Sequence, residues 1–128
     1  MKKKVFNSKY NLTLELKFII PTMSKEQIIL DHIHQLAEKC LPAGSSVWLY
    51  GSRARGDYHD ESDWDLLLLI DKDRIANADH DNYAYPFVAL GWDFGESISP
   101  ILYSRKQWES YSFTPFYKNV EQDKINIL

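Results

Sequence analysis

Cysteine is almost missing from this chain: Cys40 is the only one among 128 residues. An internal disulfide is therefore excluded, a cytosolic compartment is the natural expectation, and the lone thiol reads as a small hydrophobe on a helix face. A strong excess of either charge is also missing. Fifteen Lys and Arg stand against eighteen Asp and Glu, giving a net charge of -3 and a pI near 5.8, so general nucleic-acid binding, which calls for a basic surface, is not expected. No apolar run is long enough to span a membrane. The basic start MKKKV is not followed by a signal-type apolar core, because Asn7, Ser8, Lys9, Asn11, Glu15 and Lys17 break it up, and no small-residue cleavage site follows. What the chain does have is 45% hydrophobic and 14% aromatic residues, the composition of one globular domain with a single core.

Two parts are expected, an extension over 1–22 and a domain over 23–128. In the extension, Leu12, Leu14, Leu16 and Phe18 alternate with Thr13, Glu15 and Lys17, which suits an edge strand; a translated leader ahead of Met23 is the alternative. Ser24-Lys25-Glu26-Gln27 is a capping box that opens a helix. Ile29, Ile33, Leu36, Ala37 and Cys40 then share one face, and Pro42-Ala43-Gly44 stops it. His32 and His34 cannot share a helix face and make a poor metal pair.

The informative stretch is VWLYGSRARGDYHDESDWDLLLLI, from Val47 to Ile70. Val47–Tyr50 and Leu66–Ile70 are apolar runs of strand length, joined by a polar loop. Asp63 and Asp65, two apart at the entry to the second strand, point to one face while Trp64 points to the other. Two carboxylates so close repel each other unless a cation lies between them. Hard oxygen ligands of this kind suit Mg²⁺ or Mn²⁺ together with substrate phosphates. A turn-closing Asp63 beside a solvated Asp65 is the plainer reading of the pair in isolation. Gly51 and Ser52 answer it, because glycine admits close backbone approach and successive amides form an anion-binding concavity. Arg53 and Arg55 add guanidinium groups that match phosphate oxygens.

Gly51-Ser52-Arg53-Ala54-Arg55-Gly56, followed by Ser62-Asp63-Trp64-Asp65-Leu66, resembles the G-S-x-A-R-G … S-D-x-D-L signature of the DNA polymerase beta-like nucleotidyltransferase superfamily, and most of all its small stand-alone members, the minimal nucleotidyltransferase domains. The resemblance extends over about Ser24 to Leu128 and implies an α+β fold, a short mixed sheet flanked by helices. It implies a Mg²⁺-dependent enzyme that moves a nucleoside monophosphate from ATP or another nucleoside triphosphate to an acceptor hydroxyl. Asp63 and Asp65 would be the catalytic metal ligands, with Gly51, Ser52, Arg53 and Arg55 on the phosphates. It also implies a HEPN-type partner, in a toxin–antitoxin pair, with a tyrosine of that partner as acceptor.

One departure from the family pattern stands out. The third carboxylate of such sites comes from a following strand, here the alternating run Glu96–Ser104, yet Ser99 and Pro100 occupy its place. Glu96 is the nearest acid, three residues off and so on the opposite face of an ideal strand; a bulge beside Pro100, or a contribution from Asp93, would restore an acid. A nucleotide- or partner-binding module with weakened catalysis is therefore the rival reading. A transferase acting on tRNA or antibiotics is a weaker third, for want of an acceptor-binding domain. Between the strands, Tyr83, Phe87 and Leu90, with Pro86 among them, predict a short, kinked or late-starting helix, with His59 and His80 in loops. After them, Ser104 caps RKQWES, Thr114-Pro115 opens a last helix with Phe116, Tyr117 and Val120 facing the core, and Ile125, Ile127 and Leu128 dock as a strand.

Overall fold

The computed structural model describes residues 23–128; the extension over 1–22, expected as an edge strand or leader, lies outside them. Helix α1 (Lys25–Cys40) begins where Ser24 Oγ accepts a hydrogen bond from the Gln27 amide at 3.0 Å. It buries Ile29, Ile33 and Ala37, the stripe its spacing predicts. Among the described residues no helix is long and apolar enough to cross a membrane.

Four strands form one sheet: β1 (Ser46–Tyr50), β2 (Trp64–Ile70), β3 (Ile98–Ser104) and β4 (Ile125–Asn126), in the order β3-β2-β1-β4. β1 pairs antiparallel with β2 and β4, while β2 and β3 run parallel. The sheet is thus mixed and helix-flanked, the α+β architecture expected. β2 lies inside the sheet, which is why its sequence is nearly continuous leucine instead of an alternation.

The alternation reappears as two cores. Trp64, Leu66, Leu68 and Ile70 point to one face, where they meet α1 and Phe87. Leu67 and Leu69 point to the other, where Trp108 and Val120 cover them from α5 (Arg105–Glu109) and α6 (Pro115–Asp123). Ser104 and Gln107 form a full capping box at the start of α5, and Pro115 sits in the first turn of α6 as expected.

Between β2 and β3 the chain forms a short turn α3 (Asn77–Asp79), a π-helical turn over His80–Ala84, and α4 (Tyr85–Asp93). His80 is therefore helical, contrary to the loop expected. Of the kinked or late-starting helix expected around Pro86, the structure has the late start: the π turn comes first and sets the proline in the first turn of α4, where its missing N–H costs nothing. Two further expectations are corrected. Phe116 does not face the core but is 47% exposed, and Ile125 is exposed too, although Ile127 and Leu128 do pack on the core. The histidines of α1 are backbone ties: Ile127 O lies 2.8 Å from His34 Nδ1, and Ile28 O lies 2.9 Å from His32 Nδ1.

Candidate active site

The site is built at the carboxyl end of β1. Gly51 follows Tyr50 with φ 76° and ψ −159°, a conformation open in practice only to glycine. A Cβ at this position would overlap Oδ2 of Asp65, so the bare α-carbon is what lets that carboxylate lie against the loop backbone. The chain then makes one helical turn, α2 (Ser52–Arg55), in which the amides of Ala54 and Arg55 both return to Gly51 O at 3.0 Å. The amides of Ser52 and Arg53 precede the first such bond and have no intrahelical acceptor.

Asp65 sits on β2 between two partners at the same level, Tyr50 on β1 and Ser99 on β3. Asp63, just ahead of the strand, accepts a long 3.5 Å hydrogen bond from Ser99 Oγ. The structure thus brings Gly51, Asp63 and Asp65 together, and Ser99 stands beside the acids where a third carboxylate was sought. Burial, and then the nearby Asp63, raise the Asp65 carboxyl above its ordinary range, with Arg55 opposing them. Tyr50 is pushed up to about 12 by burial, then by Asp65 and Tyr103. Burial leads in both shifts, and in each the charge of a neighbouring aspartate adds to it. Two hard carboxylates in that condition fit a divalent ion such as Mg²⁺ or Mn²⁺. Among the described residues no group of three or more His, Cys, Asp or Glu is placed to hold a metal. An ion here would take its remaining ligands from phosphate and water, which is the habit of Mg²⁺.

Two expected members are directed elsewhere. Arg53 turns inward: its side chain is 3% exposed, with the guanidinium 4.6 Å from the Tyr58 ring and 4.4 Å from the Trp64 ring. It donates to the carbonyls of Ser62 at 3.1 Å and of His59 and Asp60 at 3.4 Å. A group enclosed in this way ties the acidic loop to Trp64 and does not reach out to phosphate. Glu96 lies on the Trp64 face, away from Asp65. It accepts from Trp64 Nε1 at 3.0 Å and pairs with Lys25 at 2.8 Å and Arg53 at 3.6 Å. The three-residue offset from Ser99 does put it on the opposite face, and no bulge returns it. Although burial works against its charge, Lys25 and Trp64 outweigh that and hold its carboxyl below the usual value.

Arg55 stays exposed at the rim, paired with Asp57 at 3.3 Å and Asp123 at 3.2 Å, and close enough to Asp65 to stabilise its charge. Tyr50 is the neighbour that sequence reasoning missed. Its signal was the antiparallel pairing itself, which sets the residue before Gly51 opposite the second aspartate.

Comparison with known proteins bears on the same stretch of chain. Residues 32–85, which contain both halves of the loop signature, match the family model described as "Polymerase beta, Nucleotidyltransferase". A protein of Methanocaldococcus jannaschii described as "Putative protein adenylyltransferase MJ0604" is 28% identical over 101 residues, spanning 79% of this chain and 95% of that protein. The fold also matches a chain of the solved structure described as "Crystal structure of the toxin-antitoxin with AMP-PNP", with a TM-score of 0.57, 19% identity, and coverage of 77% of this chain and 72% of that one. The loop signature, the mixed sheet and these matches converge on one likeness: over residues 32–85 the chain is similar to the nucleotidyltransferases of the polymerase beta type.

Proposed function

We propose that the domain transfers a nucleoside monophosphate, in the first instance AMP from ATP, to a hydroxyl of a protein acceptor. The observation that carries this reading is the meeting of Asp63 and Asp65 on one face with the glycine turn that precedes Ser52. The M. jannaschii relative's description as a protein adenylyltransferase supports a protein acceptor. The toxin–antitoxin named for the structural match supports a paired partner, and a HEPN-type toxin offering a tyrosine is the form that the loop signature favours.

In the transfer, the acceptor oxygen forms a bond to the α-phosphorus, the bond from that phosphorus to the bridging oxygen breaks, and pyrophosphate leaves with the electron pair. Asp63 and Asp65 would hold Mg²⁺. When bound, Mg²⁺ neutralises the charge that develops across the phosphates. The amides of Ser52 and Arg53, with the Ser52 hydroxyl, would receive the departing pyrophosphate, and Arg55 would contribute charge from the rim.

Ser99 shapes the choice of acceptor. A hydroxyl in place of the third acid cannot take a proton at neutral pH, so the acceptor has to ionise without a base from β3. A phenol, with a pKa of about 10, meets that condition far more readily than a serine or sugar hydroxyl does. The proton then leaves to solvent or to a base on the acceptor's side.

The test is transfer of label from α-labelled ATP with Mg²⁺ to a co-purified partner, with label expected for the wild type and none for Asp63→Ala or Asp65→Ala. A second reading rests on the same Ser99: a module that binds nucleotide or partner without turnover. Calorimetric binding of ATP with no transfer to any co-purified protein would favour it, and an Asp65-dependent rate would dispose of it.

A further inference from the structure

The aspartates lie on the sheet face that α5 and α6 cover, and beside them that face carries aromatic side chains which the reaction as described leaves unused. Phe116 meets Tyr50 edge to face at 5.9 Å, and Tyr50 is the strand partner of Asp65. Phe116 also meets Trp108 at 6.0 Å, while Tyr103 packs against Trp108 and Tyr111, each at 5.5 Å. Together with Thr114 these rings enclose a hollow of about 180 Å³. That is below the range for a whole drug-sized ligand, about 300–1,000 Å³, and suits one flat ring system.

Trp108 is the buried floor, and Tyr111 and Phe116 are exposed walls. The lining is mostly apolar, and two of its polar groups are already engaged. Trp108 Nε1 donates to Glu121 at 2.8 Å, and Thr114 Oγ1 donates to Tyr111 O at 2.8 Å while accepting from the Tyr117 amide at 3.1 Å. What remains, besides the tyrosine hydroxyls, is π surface held in place by neighbouring rings. Such a slot rewards stacking area and reads little of a hydrogen-bonding edge.

We propose that the hollow lined by Tyr103, Trp108, Tyr111 and Phe116 is the base subsite of the nucleotide, a purine slot that prefers purines to pyrimidines by stacking area and separates adenine from guanine only weakly. The inference rests on the acid pair being the triphosphate site. Its spatial warrant is the unbroken sequence of contacts from Asp65 through Tyr50 and Phe116 into the slot.

The experiment measures binding of Mg·ATP, Mg·GTP, Mg·CTP and Mg·tripolyphosphate to the full chain and to Tyr111→Ala, Phe116→Ala and Phe116→Leu. Phe116→Leu keeps apolar cover while removing the ring, and thermal melts identify any variant that has lost its fold. Expected is a loss of about 5- to 150-fold in ATP and GTP affinity, the range one stacked base is worth, in all three variants, with tripolyphosphate affinity unmoved. ATP and GTP should bind alike, both more tightly than CTP, and should quench Trp108 fluorescence that tripolyphosphate leaves alone. Tripolyphosphate binding together with unaltered ATP affinity in folded variants would overturn the slot while sparing the acid pair. Failure of tripolyphosphate to bind the wild type would overturn the reading of the acid pair, and this inference with it.

Discussion

Arg53→Lys is the substitution that bears most directly on how the loop is held. Lysine keeps the positive charge near Glu96 but loses the planar fork and the stacking surface between Tyr58 and Trp64. Of the three carbonyl contacts, only the one to Ser62, at 3.1 Å, has ordinary length; those to His59 and Asp60, at 3.4 Å, are weak. A hydrogen bond from a charged donor is worth about 1.5–3 kcal/mol, and a desolvated cation–π contact about 2 kcal/mol. Lysine recovers part of each, which leaves a net loss of about 2 kcal/mol. With a urea slope of about 2 kcal/mol per molar for a small domain, the unfolding midpoint should fall by about 1 M. Arg53→Ala should cost more, about 3–5 kcal/mol, the range for breaking a buried ionic contact. The loop that Arg53 fixes carries Asp63, so Mg·ATP affinity measured by calorimetry on the folded Arg53→Lys protein should weaken as well. Glu96→Gln preserves the acceptor for Trp64 and should leave label transfer measurable where Asp63→Ala abolishes it. An Arg53→Lys protein with the wild-type midpoint and affinity would refute the clamp.

Gly51→Ala should cost at least about 1–3 kcal/mol in chemical denaturation from its backbone conformation alone, and more from the overlap with Asp65, so both stability and Mg·nucleotide binding should fall. Tyr50 ionises near 10 when unfolded and at about 12 when folded. The folded state therefore resists ionisation, and the stability this contributes below pH 10 is lost as pH climbs from 10 towards 12. Urea midpoints at pH 8, 10 and 11 should accordingly fall less steeply for Tyr50→Phe than for the wild type. Ser99→Asp restores an acid in register with Asp65. Initial rates of label transfer should rise by about 10²-fold, the low end for an added general base, while the metal-free protein should melt at a lower temperature because three carboxylates then crowd one spot.

Much of this was legible in the sequence because it depends on spacing. Two aspartates separated by one residue must share a strand face, so Asp63, Asp65 and the opposite setting of Trp64 followed from period two alone, as did the distance of Glu96 from the site. Arg53 was misread for a reason of the same kind. Four residues of helix are too few to show which side faces the core, and Arg53 and Arg55 look equivalent until Trp64 and Tyr58 close around one of them. The Lys72 and Asp79 pair, at 2.8 Å, was equally hidden, since nothing local marks a buried aspartate at the start of a π turn. Phe116 was assigned to the core by its type, and only the tertiary arrangement leaves it exposed beside Tyr50.

The two faces of β2 divide the work in a way that bears on how the domain could lose or regain activity. Asp65 and Leu67 point toward Tyr50, Ser99 and the aromatic helices, whereas Trp64 and Leu66 point toward α1, with Arg53 and Glu96 gathered on Trp64. Changes on the Trp64 face act on Asp63 and Asp65 only through the backbone that joins them, so they should alter how well the pair is held without altering which atoms meet the phosphates. Changes at Ser99 do the reverse, adding or removing a reacting group while the frame stays put. On the proposed reading, a chain with an intact clamp and a hydroxyl at position 99 keeps its nucleotide site and lacks only a base for its acceptor, a deficit that a sufficiently acidic acceptor would make good.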